Sequence, residues 1–348
     1  VGFLGMVFGL MPGWLILRSV TLPGMWNDRF GLPGMWAAPI FIVGLLTILF
    51  RENRLKREII VVLLISLAVG HNFRITNDYK WSTTWQQRFF SQLKWRVPEL
   101  KANTSILADN ELFSKVGEYP TSFMLNIFYP SEQVSPNLDH WFFTIHKFFP
   151  NVEDLGTGFE VKVEKWYSVY KANSQDNLVI RWIPDPGSCL WVLSSNDRYN
   201  PLISNNTKRA LPVSNLSLIQ TDQPTSWPDA YLFGEENRDT WCYYYETADL
   251  ARQQSRWNDV IDLYEKAEAK GYHARNGVEL MPFIEGYART GKADVAMTLT
   301  NHAATITPHL REYLCDNWNR ISKEMASDPI FLQEYQTFSD RELCHEVK

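Results

Sequence analysis

The sequence lacks every compact signature of catalysis. It has no phosphate-cradling glycine loop, no Gly-x-Ser-x-Gly nucleophile elbow and no two histidines at metal-ligand spacing. Gly156-Thr-Gly158 is too short for a phosphate loop, has no lysine after it, and reads as a turn. Histidine is scattered: His140 and His146 merely flank an aromatic run, where a core or surface role is the plainer one. Cysteine is scarce, four in 348 residues. No two cysteines lie closer than about thirty positions, which argues against zinc. Charge of one sign is missing too. The net charge is -5 with no basic stripe among exposed aromatics, which argues against a nucleic-acid partner. These residues imply no metal and no cofactor.

Long apolar runs are present, and they are unevenly placed. Val1–Leu17, Gly34–Phe50 and Ile59–Gly70 hold nearly all of them, with Pro12 and Gly13 as a kink in the first. Spanning a bilayer takes about 20 residues, so the third run must recruit His71, Asn72 and Phe73. Core helices of a soluble protein are the alternative. The charges favour the membrane. RENRLKRE, Arg51 to Glu58, places four basic residues in one short loop, and the positive-inside rule assigns that loop to the cytoplasm. Leu22–Trp36 then faces outward, as does everything after Phe73. The chain opens on Val1 within an apolar run, without a signal-peptide start, and reads as the C-terminal part of a longer polytopic protein.

LPGMW occurs twice around Asp28 and Arg29, an ionic pair at an outer membrane boundary. Such charges are costly near lipid unless paired, so Asp28 and Arg29 pair with each other or meet a lipid or ligand headgroup. Trp26 and Trp36 lie at headgroup depth as interfacial anchors, and Trp81 and Trp85 extend that set. In Tyr79–Trp95, Trp81, Trp85, Phe89 and Leu93 recur every four residues, forming one aromatic helix face. That helix either lies on the membrane surface or packs under an outer domain. Lys80, Arg88, Lys94 and Arg96 fall off the row, and Pro98 marks its end.

From Leu100 to about Pro228 the chain is rich in β-formers. Thr104–Asp109, Ser122–Tyr129, Phe159–Lys171, Asn177–Trp182 and Cys189–Ser194 read as strands; His140–Phe149 reads as strand or helix. Asp109 and Glu111 form a carboxylate pair near a strand end, suited to acid–base work but equally to a solvated loop. From Thr240 the spacing turns helical, and a shift of 36 positions lays Ser255 on Gly291, Val260 on Ala296, Leu263 on Leu299 and Ala267 on Ala303. A helical repeat with a period in the mid-thirties marks tetratricopeptide-type units, here without the usual glycine after the first helix. Two further helices, near Pro308–Lys323 and Asp328–Val347, close the stack, Asp328 serving as cap and Pro329 as first helical residue. Cys189, Cys242, Cys315 and Cys344 all fall on the outer side, where disulfides form. Three pairings are possible; Cys189–Cys242 and Cys315–Cys344 are preferred over the others and over free buried thiols.

DRFGLP, WQQRFFSQLKWRVPELK, MLNIFY, PGSCLWVL, WCYYYETADLARQ and PFIEGYAR together resemble a group of polytopic bacterial membrane proteins of Chloroflexi type. The resemblance runs from the first apolar segment to Cys315. It implies further membrane helices upstream and supplies an architecture without an activity. In plan the chain is also similar to C-class membrane glycosyltransferases, many helices followed by an outer C-terminal domain, whose catalytic acid sits in an early loop. Asp28 belongs to a late loop and does not inherit that role.

The expected fold is a membrane α-helical segment of about three helices (1–73), then a juxtamembrane amphipathic helix (74–98). An extracytoplasmic α/β or mostly-β domain (99–228) and an all-α tetratricopeptide-like helical-hairpin domain (229–348) follow. The expected role is a binding module for an envelope protein or glycan, anchored in membrane lipid. The alternative is the non-catalytic end of a glycosyltransferase that uses a lipid-linked sugar donor.

Overall fold

The computed structural model describes residues 1–17, 31–113, 115–131, 137–148, 156–221, 226–338 and 343–344. The chain divides into two compact units, Val1–Ser82 and Thr83–Lys348.

The first unit is helical: α1 (Gly2–Leu15), α2 (Leu32–Met35), α3 (Ala37–Leu49) and the beginning of α4 (Arg54–Arg96). Leu32–Leu49 and α4 are long and apolar enough to cross a membrane, while α1 is shorter. Their large side chains point outward: Phe8, Leu15, Val62 and Leu67 are all more than 60 % exposed. α1 packs closely on α2 and α3 through small residues. A Cβ on Gly2 would come within 2.5 Å of the Phe41 backbone, and one on Gly9 within 2.8 Å of Gly34. Contact through glycine is how helices associate where burial of apolar surface gives no drive. The separate helix expected at Tyr79–Trp95 is the continuation of α4, an uninterrupted 43-residue helix. No residue between Gly70 and Tyr79 breaks a helix, and Asn72 and Thr76 bond back to carbonyls one turn earlier instead of capping an end.

The second unit has a sheet as its middle layer. In chain order its elements are β1 (Glu99–Leu100), β2 (Thr104–Ala108), α5 (Glu118–Phe128), β3 (Asn137–Leu138), β4 (His140–Thr144), α6 (Ile145–Phe148), β5 (Glu160–Lys165), β6 (Ser168–Asn173), β7 (Asn177–Arg181) and β8 (Trp191–Leu193). α7 (Asn205–Ala210), β9 (Ile219–Gln220) and α8 (Ala230–Phe233) precede the helical hairpins. The main sheet has the order β4-β2-β7-β8, parallel except for the last pair. β2 and β4 are buried along their whole length, as parallel strands covered on both faces are. Successive side chains alternate faces. Leu107, Trp141, Phe143, Val179 and Trp191 join the core of the hairpins, whereas Ile106, Phe142, Leu178, Ile180 and Val192 join Phe89, Phe90 and Leu93 of α4. The first core runs past position 228 without interruption, from the strands into the C-terminal helices.

Two strand expectations change. Ser122–Tyr129 is not a strand but most of α5, the crossover that parallel β2 and β4 require. Its polar residues explain why. Glu118, Ser122 and Asn126 recur every four positions and accept from Thr144 N–H (2.9 Å), Phe142 N–H (3.0 Å) and Asp139 N–H (2.8 Å), so the helix closes the open edge of β4. Phe159–Lys171 is two strands, folded at Trp166-Tyr167 into the antiparallel β5–β6 hairpin. Ser105 Oγ and Tyr170 OH, 2.7 Å apart, tie this small sheet to the main one. His140–Phe149 resolves into β4 followed by α6.

The hairpins are α9 (Trp241–Gln253) with α10 (Trp257–Ala269), α11 (Met281–Arg289) with α12 (Ala293–Ile306), and α13 (Arg311–Glu324) with α14 (Pro329–Phe338). Ser255 and Gly291, matched by the 36-residue shift, hold the same left-handed turn conformation, with φ 57° and 77°. Val260, Ala296, Ala267 and Ala303 are fully buried between helices. Asp328 accepts from Phe331 N–H at 3.1 Å, and Pro329 opens α14. Phe331 and Tyr335 stack on Trp318.

Candidate functional site

Trp26, Asp28 and Arg29 lie outside the described residues. Trp36 ends α2 and is 84 % exposed. Trp81 is half-exposed, and Trp85 packs against the core with the Arg88 guanidinium 5.2 Å from its ring centre. Glu111 is exposed, and Asp109 meets His146 Nδ1 through its backbone carbonyl, at 2.8 Å. Cys189 is bonded to Cys242 and Cys315 to Cys344, with Cα separations of 5.1 and 5.5 Å. The first bond ties the entry of β8 to α9; the second ties α13 to the segment after α14. Among the described residues no three His, Cys, Asp or Glu side chains are grouped to hold a metal.

Sequence reasoning missed a ladder of alternating charges on the first helix of each hairpin. Arg96, at the end of α4 and fully buried, donates from Nε to Asp249 at 2.6 Å and from Nη1 to Gln253 at 2.9 Å. Arg252 donates to the other Asp249 oxygen at 2.7 Å and lies 3.4 Å from Glu285. Arg320 grips Glu285 with two bonds, 2.7 and 2.9 Å, Arg289 adds two more at 2.8 and 3.0 Å, and Glu324 closes the row against Arg289 and Arg320. Burial pushes the Glu285 carboxyl up, but the Arg320 hydrogen bond and the three surrounding guanidiniums outweigh it and bring its pKa to about 2. Asp249 behaves alike: burial raises it, Arg252 and Arg96 lower it further. One turn before Asp249, Glu246 goes the other way. Burial holds its pKa well above the carboxylate range, Asp249 and Glu279 push in the same direction, and Arg96 only partly opposes them. Neither Glu246 oxygen has a hydrogen-bond partner of normal geometry, the Leu190 N–H approaching without reaching one.

A cleft of about 210 Å³ lies elsewhere in the second unit. One wall is a single face of α4: Thr84, Gln87, Arg88, Ser91, Gln92 and Trp95. These positions recur at three and four residues, the spacing of one helical face. The other wall is Gly187, Gly234, Glu235, Asn237, Thr240 and Cys242. Gln92 Nε2 donates to the Ser188 carbonyl at 3.1 Å, leaving its Oε1 unpaired and buried. Trp95 Nε1 donates to Glu236 at 3.2 Å, and its ring meets Tyr243 edge-on at 5.3 Å. The signal for this wall was in the sequence: the polar row lies beside the aromatic row Trp81, Trp85, Phe89, Leu93. A second cleft, about 290 Å³, lies between the 195–198 turn and α13, with Arg198, Asp316, Asn319, Arg320, Lys323 and Glu324 around it.

No protein-family model, no curated protein and no solved structure matches this chain.

Proposed function

We propose that the chain is a membrane-anchored binding module: its first 73 residues hold it in lipid, and its strand-rich and helical parts stand outside the cytoplasm and hold an envelope protein or glycan. The observation that carries this reading is the charge ladder. It ties three helices from successive hairpins, α9, α11 and α13, into one row with a polar cleft beside its Arg320–Glu324 end. The paired left-handed turns at Ser255 and Gly291 support a tetratricopeptide-type stack, and such stacks present extended partner surfaces. The basic residues Arg51, Arg54, Lys56 and Arg57, the last three on the first turn of α4 and not in the loop expected at 51–58, support a cytoplasmic side there, and two disulfides suit an oxidising compartment on the other side.

Two measurements test it on the full chain in its own membrane. With a membrane-impermeant maleimide, Asn53→Cys stays unlabelled in intact cells while Asn237→Cys is labelled; the reverse overturns the orientation. A photo-crosslinking residue at Asn319, in the second cleft, captures a defined envelope partner. Crosslinking only to the chain itself sinks the binding-module reading.

A further inference from the structure

We infer that the cleft between the polar face of α4 and the 234–240 segment is a binding site for a single uncharged saccharide ring, stacked on Trp95. This rests on the binding-module reading and names the class of ligand.

The lining chemistry points there. Gln87, Gln92 and Asn237 each carry a donor and an acceptor, and the Ser91 and Thr240 hydroxyls do both. A sugar ring presents several hydroxyls that both donate and accept, so a wall of amides and hydroxyls matches it. A charged ligand would call for an excess of one sign. Here the two charged residues, Arg88 and Glu235, are opposite, and the Arg88 guanidinium already lies over the Trp85 ring. Trp95 is the aromatic residue of the lining, its orientation held by Glu236, Tyr243 and Trp227. The weakly positive C–H edge of a pyranose complements the negative face of such a ring.

The cleft is also built to a shape. Its volume is about 210 Å³, room for a small molecule and too little for a folded partner. Gly234 sits at φ 82°, and a Cβ there would come within 3.2 Å of Gln87, so glycine keeps that amide in place. The Cys189–Cys242 bond fixes one wall. Gln92 is 6 % exposed and donates to the Ser188 carbonyl, which holds it in the wall. An extended peptide fits less well. It gains affinity from backbone pairing with a strand edge, and no strand lines this cleft.

The test uses the full chain in phosphatidylcholine nanodiscs, so that no glycoside detergent competes. Saturation-transfer NMR is recorded with glucose, galactose, mannose, N-acetylglucosamine and N-acetylgalactosamine at millimolar concentration, and with tetra-alanine. At least one sugar is expected to show saturation strongest on its ring C–H protons. That signal should fall five-fold or more in Trp95→Ala and in Asn237→Ala, and stay unchanged in Lys162→Ala, on the exposed face of β5 away from both clefts. Trp95 also packs internally, so the exposed Asn237 carries the test if Trp95→Ala does not fold. Absence of saturation for all five sugars overturns the inference. So does a signal that Asn237→Ala leaves intact, or tetra-alanine binding in place of any sugar. If the Asn319 crosslink persists through such a result, only the saccharide assignment falls; if it too is lost, the binding-module reading falls with it.

Discussion

Residues 1–82 and 83–348 place the same kinds of side chain in opposite directions. In the first unit Phe8, Leu15, Val62 and Leu67 face outward, and the ion pair Arg54–Glu58 lies at the surface. In the second, Phe89, Phe90, Leu93 and Trp318 are fully buried, and Arg96, Asp249 and Glu285 are buried with them. On the proposed reading the difference follows from two solvents, lipid around the first unit and water around the second. A hydrocarbon surround accepts outward leucine and requires every backbone group to be paired within helices. Water drives aromatics inward and leaves a charge buried only where another charge and hydrogen bonds compensate it.

The comparison breaks most sharply at the ladder. Asp249→Ala leaves Arg96 buried without its carboxylate and is expected to destabilise the second unit by about 3–5 kcal/mol in urea unfolding. Arg96→Met combined with Asp249→Leu should recover most of that loss. A cost of Asp249→Ala below about 1 kcal/mol would mean that the pair is not truly desolvated. Next comes the disulfide spanning 53 positions: Cys189→Ser with Cys242→Ser should cost about 4 kcal/mol, more than the equivalent change at the bond spanning 29. Equal losses would show that loop length does not set the effect.

In the first unit the equivalent test is Val62→Arg. It should impair insertion of α4 by about 3 kcal/mol, read as loss of alkali-resistant membrane association. A variant that remains fully membrane-bound would contradict the lipid-facing reading.

Acid comes next. Burial lowers the His140 pKa to about 4 against an unfolded value near 6.5, so the unfolded chain binds the extra proton first. Stability from this group is complete above pH 6.5 and lost as pH falls toward 4, roughly 3 kcal/mol in all; His140→Phe should flatten that limb. Glu285 adds a second loss, from pH 4.5 down to about 2. Glu246 has the opposite sign. Its raised pKa gives stability that is present below the unfolded carboxylate value and lost as pH rises, so Glu246→Gln should raise Tm, increasingly at alkaline pH. The smallest effect is Arg54→Ala, which breaks an exposed i,i+4 pair and should leave Tm unchanged.

Much of the architecture was legible where the signal is local or periodic. The 36-residue repeat was readable because Ser255 and Gly291 both occupy a tight turn and the same small residues pack behind them. Asp328-Pro329 was readable because capping is chemistry within one turn. Ser122–Tyr129 misled because its Phe, Ile and Tyr favour strands, while the rail of Glu118, Ser122 and Asn126 has meaning only once β4 lies beside it. Arg96 misled for a similar reason: a charge off the aromatic row of a helix is ordinarily solvated. The wall of the candidate cleft was half legible, as a polar helix face, but its opposite side comes from positions 187 and 234–242.

The sequence by itself determined the apolar helices, the cluster of basic residues between the second and third apolar runs, the even set of cysteines and the period of the hairpins, since each depends on residues within one or two turns or one repeat; that most of the basic cluster is the first turn of α4 and not a loop was not legible. Tertiary structure alone decided that α5 is a helix, that Arg96 meets Asp249 across 153 positions, and that a polar face of α4 becomes one wall of a cleft. A propensity of a few tenths of a kcal/mol per residue yields to burial and hydrogen bonding worth several, and those terms exist only after distant segments have met.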